Sequence, residues 1–426
     1  MSFFGITDRR HFLKHAAGAT AVTLPGLSFL SDLRAQAPAM KKKGKSLIVL
    51  WMGGGPSTID LWDMKPGSPN AGEHKPVSTT ASGVQITEHL PKVGKQMNHL
   101  SLVRSLTTSE GDHMRGTTLM STGRTPNPLS EFPHVGSALS YVTSQDAEAM
   151  KNMELPAFIS VGGGRVGPGF LGMKYAAFTV QNPGSPPENV QPPADVAGRM
   201  ARRKVIFDTL ESSLKTNVAA DAAQAHRDVY GKALQLVTSS RKDVFNFNND
   251  RDQKDVARYG NNGFGRGCLL ARKLVEAGVA CVEVTLGGWD MHNGIFPALT
   301  RTLPQLDGGM AALVEDLAAS GKLKDTVIVW MGEFGRTPRI NQNTGRDHWA
   351  ASWSVMVGGG GLKGGVAVGS TDEDGIAVTD KSYLPGDIWA TVAHAMGIPL
   401  DTVHTSGRGR PMKIANGGTP IQELIA

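Results

Sequence analysis

Acidic side chains and imidazoles gather in four short stretches that follow apolar runs of the chain. The stretches are Ser109–Arg115 (SEGDHMR), Gly287–His292 (GGWDMH), Gly332–Thr337 (GEFGRT) and Gly345–Trp349 (GRDHW). Carboxylate oxygens and neutral imidazoles are the ligands that a hard or borderline divalent cation binds. Each residue alone has a structural explanation, such as a helix cap or an ion pair, but the recurrence of the pattern predicts one shared site.

Short apolar runs alternate with helical patterns along the chain. The runs predict strands at Leu47–Trp51, Leu100–Val103, Pro156–Val161, Ala280–Leu286 and Thr326–Trp330. The helical patterns cover His113–Thr122, Gly267–Glu276, Leu306–Ala319 and roughly Asp387–Met396. Unbroken apolar runs are typical of strands buried on both faces of a parallel sheet. The alternation therefore predicts an α/β fold, a three-layer α/β/α sandwich around a mostly parallel sheet.

In such a sheet, sites form outside the carboxyl ends of the strands, so we expect the four polar stretches to meet there. Two regions depart from the alternation. The polar, Ala-rich chain near 195–250 predicts a helical insert, and the Gly-rich segment Val355–Val378 predicts loops with a small antiparallel element.

The first 37 residues predict an export signal. Arg9 and Arg10 precede Phe12–Lys14, a weakly apolar run covers Ala16–Leu30, and small residues lead up to Ala37. This order is typical of a twin-arginine signal peptide. The apolar run contains Gly, Thr and Pro and is too polar for a stable membrane anchor. We therefore expect the twin-arginine translocase as a partner during export, a periplasmic location, and one mature domain over 38–426.

Composition excludes several classes of protein. The chain has 52 Gly and 24 Pro among 426 residues, too few for a collagenous or low-complexity chain. The formal charge is +6, of which the leader supplies +2, and the remaining +4 shows neither a basic helix nor an aromatic array. We therefore expect no nucleic-acid partner. A disulfide between Cys268 and Cys281 is geometrically possible, but two separate buried thiols are the favoured reading.

Four stretches of the chain match a known family: Gly53–Asp60, Thr122–Pro126, Gly332–Pro338 and Gly345–Trp349. Through them, and over nearly its whole length, the chain resembles the exported bacterial family called domain of unknown function 1501. More distantly it resembles the alkaline phosphatase and sulfatase superfamily, in which that family is placed. This resemblance implies a large α/β/α sandwich with a metal centre at the strand ends.

The distant resemblance also implies roles for single residues. Met120–Arg124 is similar to the end of the helix that follows the sulfatase nucleophile, which implies that His113 stands at the nucleophile position. Glu333 stands where the superfamily has a metal-binding Asp. Asp290 and His292 are similar to the Asp–His pair of the phosphatase branch, and His348 to its late metal-binding His.

The chain also departs from the superfamily. Phe334 stands in place of a ligand His, and Trp51–Gly53 in place of the one or two metal-binding Asp residues that end the first strand. The resemblance therefore implies one remaining metal site and a second that has lost its ligands.

These observations predict two alternative functions. The first is a metal-dependent hydrolase of a small anionic substrate, a phosphate or sulfate ester, with one divalent ion on Asp290, His292 and His348. Glu333 would be a fourth ligand or would orient one, and His113 would be the base or nucleophile. Arg115 and Arg336 would neutralise the anionic transition state. The second is an exported, non-catalytic binding or assembly protein whose polar residues hold its loops together.

Overall fold

A computed structural model of the chain describes residues 44–128, 131–146, 153–164, 166–188, 199, 202, 205–206, 209, 217–401, 403–405 and 411–425. The leader, with its twin-arginine motif and cleavage site, lies outside these residues. Gly44–Ala426 forms one compact unit. Within the described ranges, no helix combines the length and the apolar character that crossing a membrane requires.

The strands of the described residues are, in chain order, β1 (Ser46–Met52), β2 (Pro76–Ser78), β3 (Gln85–Thr87), β4 (Leu100–Leu106), β5 (Phe158–Val161), β6 (Phe178–Val180), β7 (Cys281–Leu286), β8 (Thr326–Met331), β9 (Gly335–Arg336), β10 (His348–Trp349), β11 (Trp353–Gly359), β12 (Ala367–Val368), β13 (Val403–Thr405) and β14 (Pro411–Lys413). The α-helices are α1 (Pro91–Gly94), α2 (His113–Thr122), α3 (Val135–Ser144), α4 (Asn217–Thr238), α5 (Asp250–Tyr259), α6 (Gly263–Glu276), α7 (Ile295–Ala319) and α8 (Pro385–Met396).

Eight strands form one central sheet in the order β12-β4-β11-β8-β1-β7-β5-β6. Every neighbouring pair is parallel except those of β11, which runs antiparallel to both β4 and β8. The predicted α/β fold with a mostly parallel sheet is confirmed. All five predicted strands lie in this sheet, with ends that shift by three residues or fewer.

Helices cover both faces of the sheet. Alternate residues of a strand point to opposite faces, and Ile48 and Leu50 of β1 share a buried apolar cluster with α6 and α7. On β7, Glu283 points to the face opposite Val282 and contacts His134, which caps α3. The arrangement is the expected three-layer sandwich, and β1 at its centre is buried over its whole length.

Strand β11 corrects the sequence interpretation. The Gly-rich sequence of Val355–Val378 predicts loops with a small antiparallel element, yet Trp353–Gly359 is a fully buried strand between β4 and β8. Its glycines reflect close backbone approach rather than a loop, because a Cβ on Gly358 would lie 2.5 Å from the carbonyl oxygen of His99.

Two further predictions concern helices and thiols. Helix α7 begins at Ile295, well before the predicted start at Leu306, and continues through Pro304. Of the predicted insert near 195–250, much of the first part lies outside the described residues, and Asn217–Thr238 is helical. Cys268 and Cys281 are both free and buried, as favoured from the sequence.

Candidate metal centre

The sheet brings the polar stretches together because four of the strands that precede them are parallel. Strands β1, β4, β7 and β8 point the same way, so their carboxyl ends share one edge of the sheet. Asp290 and His292 follow β7, Glu333 follows β8, and His113 is the first residue of α2, which follows β4. The loop after β1 begins at Gly53.

The stretch Gly345–Trp349 is carried back to this edge by a short antiparallel pair. In the pairing of β9 with β10, Arg336 lies directly opposite His348. Arg346 fixes the same loop, because its guanidinium forms two hydrogen bonds with Asp60, at 2.7 and 2.9 Å. Both side chains are fully buried. The position of His348 is therefore fixed by the sheet pairing and by a buried ion pair.

The side chains of Asp290, His292 and His348 converge, as expected. Asp290 Oδ1 lies 3.0 Å from His292 Nε2 and 3.2 Å from His348 Nε2, and the two Nε2 atoms are 3.1 Å apart. His113 Nε2 approaches the other oxygen of Asp290 at 3.4 Å. A tetrahedral ion with ligands at about 2.0–2.1 Å separates its ligand atoms by roughly 3.3–3.4 Å. The cluster has the dimensions of a metal site.

Each of the three imidazoles is held by a hydrogen bond at Nδ1. His292 Nδ1 is 2.7 Å from Asp347 Oδ1, His348 Nδ1 is 2.7 Å from the carbonyl oxygen of Gly111, and His113 Nδ1 is 2.8 Å from Glu333 Oε1. Ionised carboxylates and carbonyls only accept hydrogen bonds, so each Nδ1 carries the proton. In a neutral imidazole Nε2 is then a bare lone pair. Histidines that bind metals are oriented in this way.

Arg336 gives independent support for this tautomer of His292. Its Nη1 lies 3.3 Å from His292 Nε2 and can only donate, so that nitrogen must accept. His348 is in the same tautomer, so its Nε2 also carries no proton. The lone pair of His292 is thus directed at Arg336, whereas that of His348 faces the Asp290 carboxylate and is repelled by it unless a cation or a proton lies between them.

Arg336 is fully buried and each of its N–H groups has an acceptor within the protein. The guanidinium donates to the carbonyls of Gly54, Gly55 and Arg346, to His292 and, at 2.5 Å, to Asp290. Burial by itself would raise the pKa of Asp290, but the hydrogen bond from Arg336 and the positive charge of its guanidinium hold it well below its ordinary value. Asp290 is therefore an anion at neutral pH.

Glu333 is buried behind His113. Its Oε1 accepts from His113 Nδ1 and, at 2.9 Å, from the backbone N–H of Gly54, while Oε2 is buried without a partner among the described residues. Of the two roles expected for Glu333, this geometry fits the one that orients a histidine.

Arg115 does not join the cluster. Its guanidinium forms two hydrogen bonds with Glu110, at 2.6 and 2.7 Å, and its side chain is half-exposed. The role predicted for Arg115 toward an anionic substrate stays a prediction.

Sequence reasoning missed two groups that position the histidines. Asp347 holds the ring of His292, and its hydrogen bond from that ring lowers the pKa of the Asp347 carboxyl. The signal was available, since Asp347 lies in the same motif as His348. The carbonyl of Gly111, which holds His348, had no signal of its own because any residue supplies a backbone carbonyl.

Gly54 is required by the tight packing of the loop after β1. Its φ of +121° disfavours other residues, and a Cβ there would lie 2.4 Å from the backbone nitrogen of Asp290. The loop after β1 therefore packs directly against the backbone of Asp290 and helps to fix its position.

Comparisons with known proteins give a family and a set of similar folds. The family model described as "Protein of unknown function (DUF1501)" matches residues 44–425. No curated protein matches the chain.

Several solved structures are similar in fold to the chain, at low sequence identity. Ps i-CgsB in complex with k-i-k-neocarrahexaose has 12% identity and a TM-score of 0.44, covering 90% of this chain and 77% of that one. The PsFucS1 sulfatase from Pseudoalteromonas sp. has 14% identity and a TM-score of 0.40, covering 87% and 71%. Alkaline phosphatase from the Antarctic bacterium TAB5 has 13% identity and a TM-score of 0.29, covering 79% and 96%. At this level of similarity, function has to be argued from the site itself.

Proposed function

The chain belongs to the DUF1501 family, and we propose that it is an exported, metal-dependent hydrolase of a phosphate or sulfate ester with a single divalent ion. Asp290, His292 and His348 are the ligands. His113 lies beside them with its Nε2 directed at the same carboxylate, and the leader carries the chain to the periplasm.

One observation carries the proposal. The Nε2 atoms of His292 and His348 lie 3.1 Å apart, and each ring gives its Nδ1 proton to another acceptor. The Nε2 lone pair of His348 and the Asp290 carboxylate therefore face each other at the separation of a coordination shell, and Nε2 of His292 would exchange its hydrogen bond from Arg336 for the ion. A cation in their midst removes the repulsion, and imidazole with carboxylate is a ligand set that zinc binds.

The charge of the surroundings also fits one dication. Asp290, Glu333 and Asp347 contribute three negative charges when ionised, and Arg336 contributes one positive charge. The net charge of −2 is balanced by a single divalent ion. Because Arg336 donates to Asp290, its guanidinium takes a place near the carboxylate that a second cation would otherwise occupy.

The remaining residues act on the reacting groups. When bound, the ion would supply a Lewis acid that polarises the ester or lowers the pKa of water. His113 keeps its proton on Nδ1, toward Glu333, and so presents Nε2 as a proton acceptor or nucleophile. Its side chain is about one-third exposed, at 34%, so that a substrate can reach it.

A second candidate, a non-catalytic binding or assembly protein, is favoured by Arg336. An arginine that neutralises a transition state needs free N–H groups, yet those of Arg336 are engaged by three carbonyls, His292 and Asp290. In this alternative the cluster holds the loops of the sheet edge together, with or without an ion.

The deciding experiment measures metal content and turnover in the same preparations. The tag-free parent, His348→Ala and the control His394→Ala, whose exposed imidazole lies on α8, are analysed for bound metals. We expect His348→Ala to hold one equivalent less than the parent and the control to match it. Each protein is then assayed with aryl phosphate monoesters, phosphate diesters and sulfate esters. Turnover that His348→Ala abolishes supports the hydrolase, bound metal without turnover supports the binding protein, and equal metal content in all three refutes the centre.

A further inference from the structure

A second group of imidazoles lies at the open end of the hairpin formed by β2 and β3. The register of these strands places Lys75 opposite Glu88, and the backbone N–H of Glu88 donates to the carbonyl of Lys75 at 2.9 Å. The antiparallel pairing therefore continues beyond the strands, and the next opposed positions are His74 and His89. Side chains at directly opposed positions share one face of the pair and contact each other.

The two rings meet through their nitrogens. His74 Nδ1 is 3.1 Å from His89 Nε2, the same separation as in the Asp290 cluster, and the ring planes cross at 78°. Glu88 adds a carboxylate oxygen, so that the three ligand atoms all lie within 4.8 Å of one another. Two imidazoles and one carboxylate make a ligand set that zinc binds in proteins.

The ring of His74 is fixed in place by its surroundings. It packs edge-on against Phe296, with ring centroids 5.7 Å apart, and its Nε2 is buried with no hydrogen-bond partner in the part of the chain that the structure describes. Nδ1 is thus the nitrogen that remains for a ligand. Glu73, Glu88 and Asp60 all lie close enough to act on this imidazole electrostatically, and their negative charges attract a cation.

We propose that His74, Glu88 and His89 form a second metal site, which binds a divalent transition metal ion of the zinc, copper or nickel class. Imidazole nitrogens suit these ions, and a site open to solvent leaves the remaining coordination positions to water. The site shares no ligand with the Asp290 cluster, so a test of one site does not decide the other.

Such an ion would brace the segment that covers the buried Asp60–Arg346 pair. The carbonyl of Asn70 accepts from Arg346 at 3.0 Å, and a Cβ on Gly72 would lie 2.2 Å from Asp60 Oδ1, so residues 70–72 pack directly on this pair. His74 follows two residues later. An ion shared with His89 links this segment to the end of β3.

The test is calorimetric titration of Zn²⁺ into tag-free protein stripped with a chelator. His348→Ala serves as the background, since it removes the principal centre. We expect this variant to bind one equivalent of Zn²⁺, and the further change His89→Gln to weaken that binding by at least about tenfold, since even removing a residue that only orients a ligand costs about that much. The matched control is His99→Gln, whose imidazole contacts Asn98 outside the cluster.

Glu88→Gln provides a second variant that leaves both imidazoles in place and keeps an acceptor for the Lys75 N–H; it too should weaken binding. If His348→Ala does not fold, the same titrations in the parent should show one equivalent lost with His89→Gln. The site is refuted if the background binds no Zn²⁺, or if His89→Gln binds as tightly as His99→Gln. Loss of turnover with His348→Ala but not with His89→Gln separates this site from the catalytic proposal.

Discussion

Replacing Arg346 by Met should destabilise the protein strongly and release the loop that carries His348. Arg346 and Asp60 are both completely buried and form two hydrogen bonds with each other, at 2.7 and 2.9 Å. Arg346 also donates to the carbonyls of Thr337, Pro338 and Asn70. Removing one partner of a buried ion pair costs roughly 3–5 kcal/mol, because the other charge stays buried without compensation. That is a large part of the roughly 5–15 kcal/mol by which proteins are stable.

The measurement is chemical denaturation of metal-free protein, so that a change in metal binding cannot contribute. The double variant Asp60→Asn with Arg346→Met should recover part of the loss, since it removes the uncompensated carboxylate, and the cycle then reports the coupling. Arg241→Met is the control: its contact with Glu154, at 3.6 Å, lies at the surface. A loss no greater than that of the control, or a double variant whose loss equals the sum of the single ones, would show that the pair does not hold the loop.

Two further predictions follow from the structure and a third from the sequence of the leader. Gly54→Ala should lower thermal stability and metal content together, because its Cβ would lie 2.4 Å from the backbone nitrogen of Asp290; unchanged metal uptake would count against the contact. Burial lowers the pKa of Lys232 from 10.5 to about 8, so the unfolded chain binds the extra proton between these values. The free energy of unfolding should therefore rise with pH in that window, by about 1–3 kcal/mol after allowance for partial exposure, and denaturation of Lys232→Met should lack this component. Replacing Arg9 and Arg10 by Lys should leave full-length precursor in the cytoplasm, as seen by fractionation, and normal export of that variant would contradict the twin-arginine assignment.

The sequence predicts the part of this fold that is set by local pattern. A run such as Leu47–Trp51 is apolar at every position, which is required only where both faces of a strand are covered, and β1 lies at the centre of the sheet. Placement of Asp290 and Glu333 at one edge then follows from the parallel direction of the strands. Strand β11 was missed because its antiparallel insertion and close packing depend on neighbours that are distant in sequence.

Hydrogen-bond partners within the site could not be predicted in the same way. The sequence shows that Arg336 follows β8, but its charge is compatible equally with a substrate anion and with a protein acceptor. In the structure its guanidinium donates hydrogen bonds to Asp290 and to the carbonyls of the loop after β1. Backbone carbonyls have no signature in a sequence. An arginine that donates hydrogen bonds to them therefore cannot be distinguished, from sequence, from one that binds a ligand.

This use of Arg336 is physically linked to the sequence at the end of β1, where Trp51–Gly53 carries no acidic side chain. Here the following loop acts through its backbone: the N–H of Gly54 donates to Glu333, and its carbonyl accepts from Arg336. An added carboxylate would need a further cation, whereas a backbone carbonyl beside a guanidinium does not. The backbone contacts of this loop and the guanidinium of Arg336 therefore form one arrangement, which needs no acidic side chain at the end of β1.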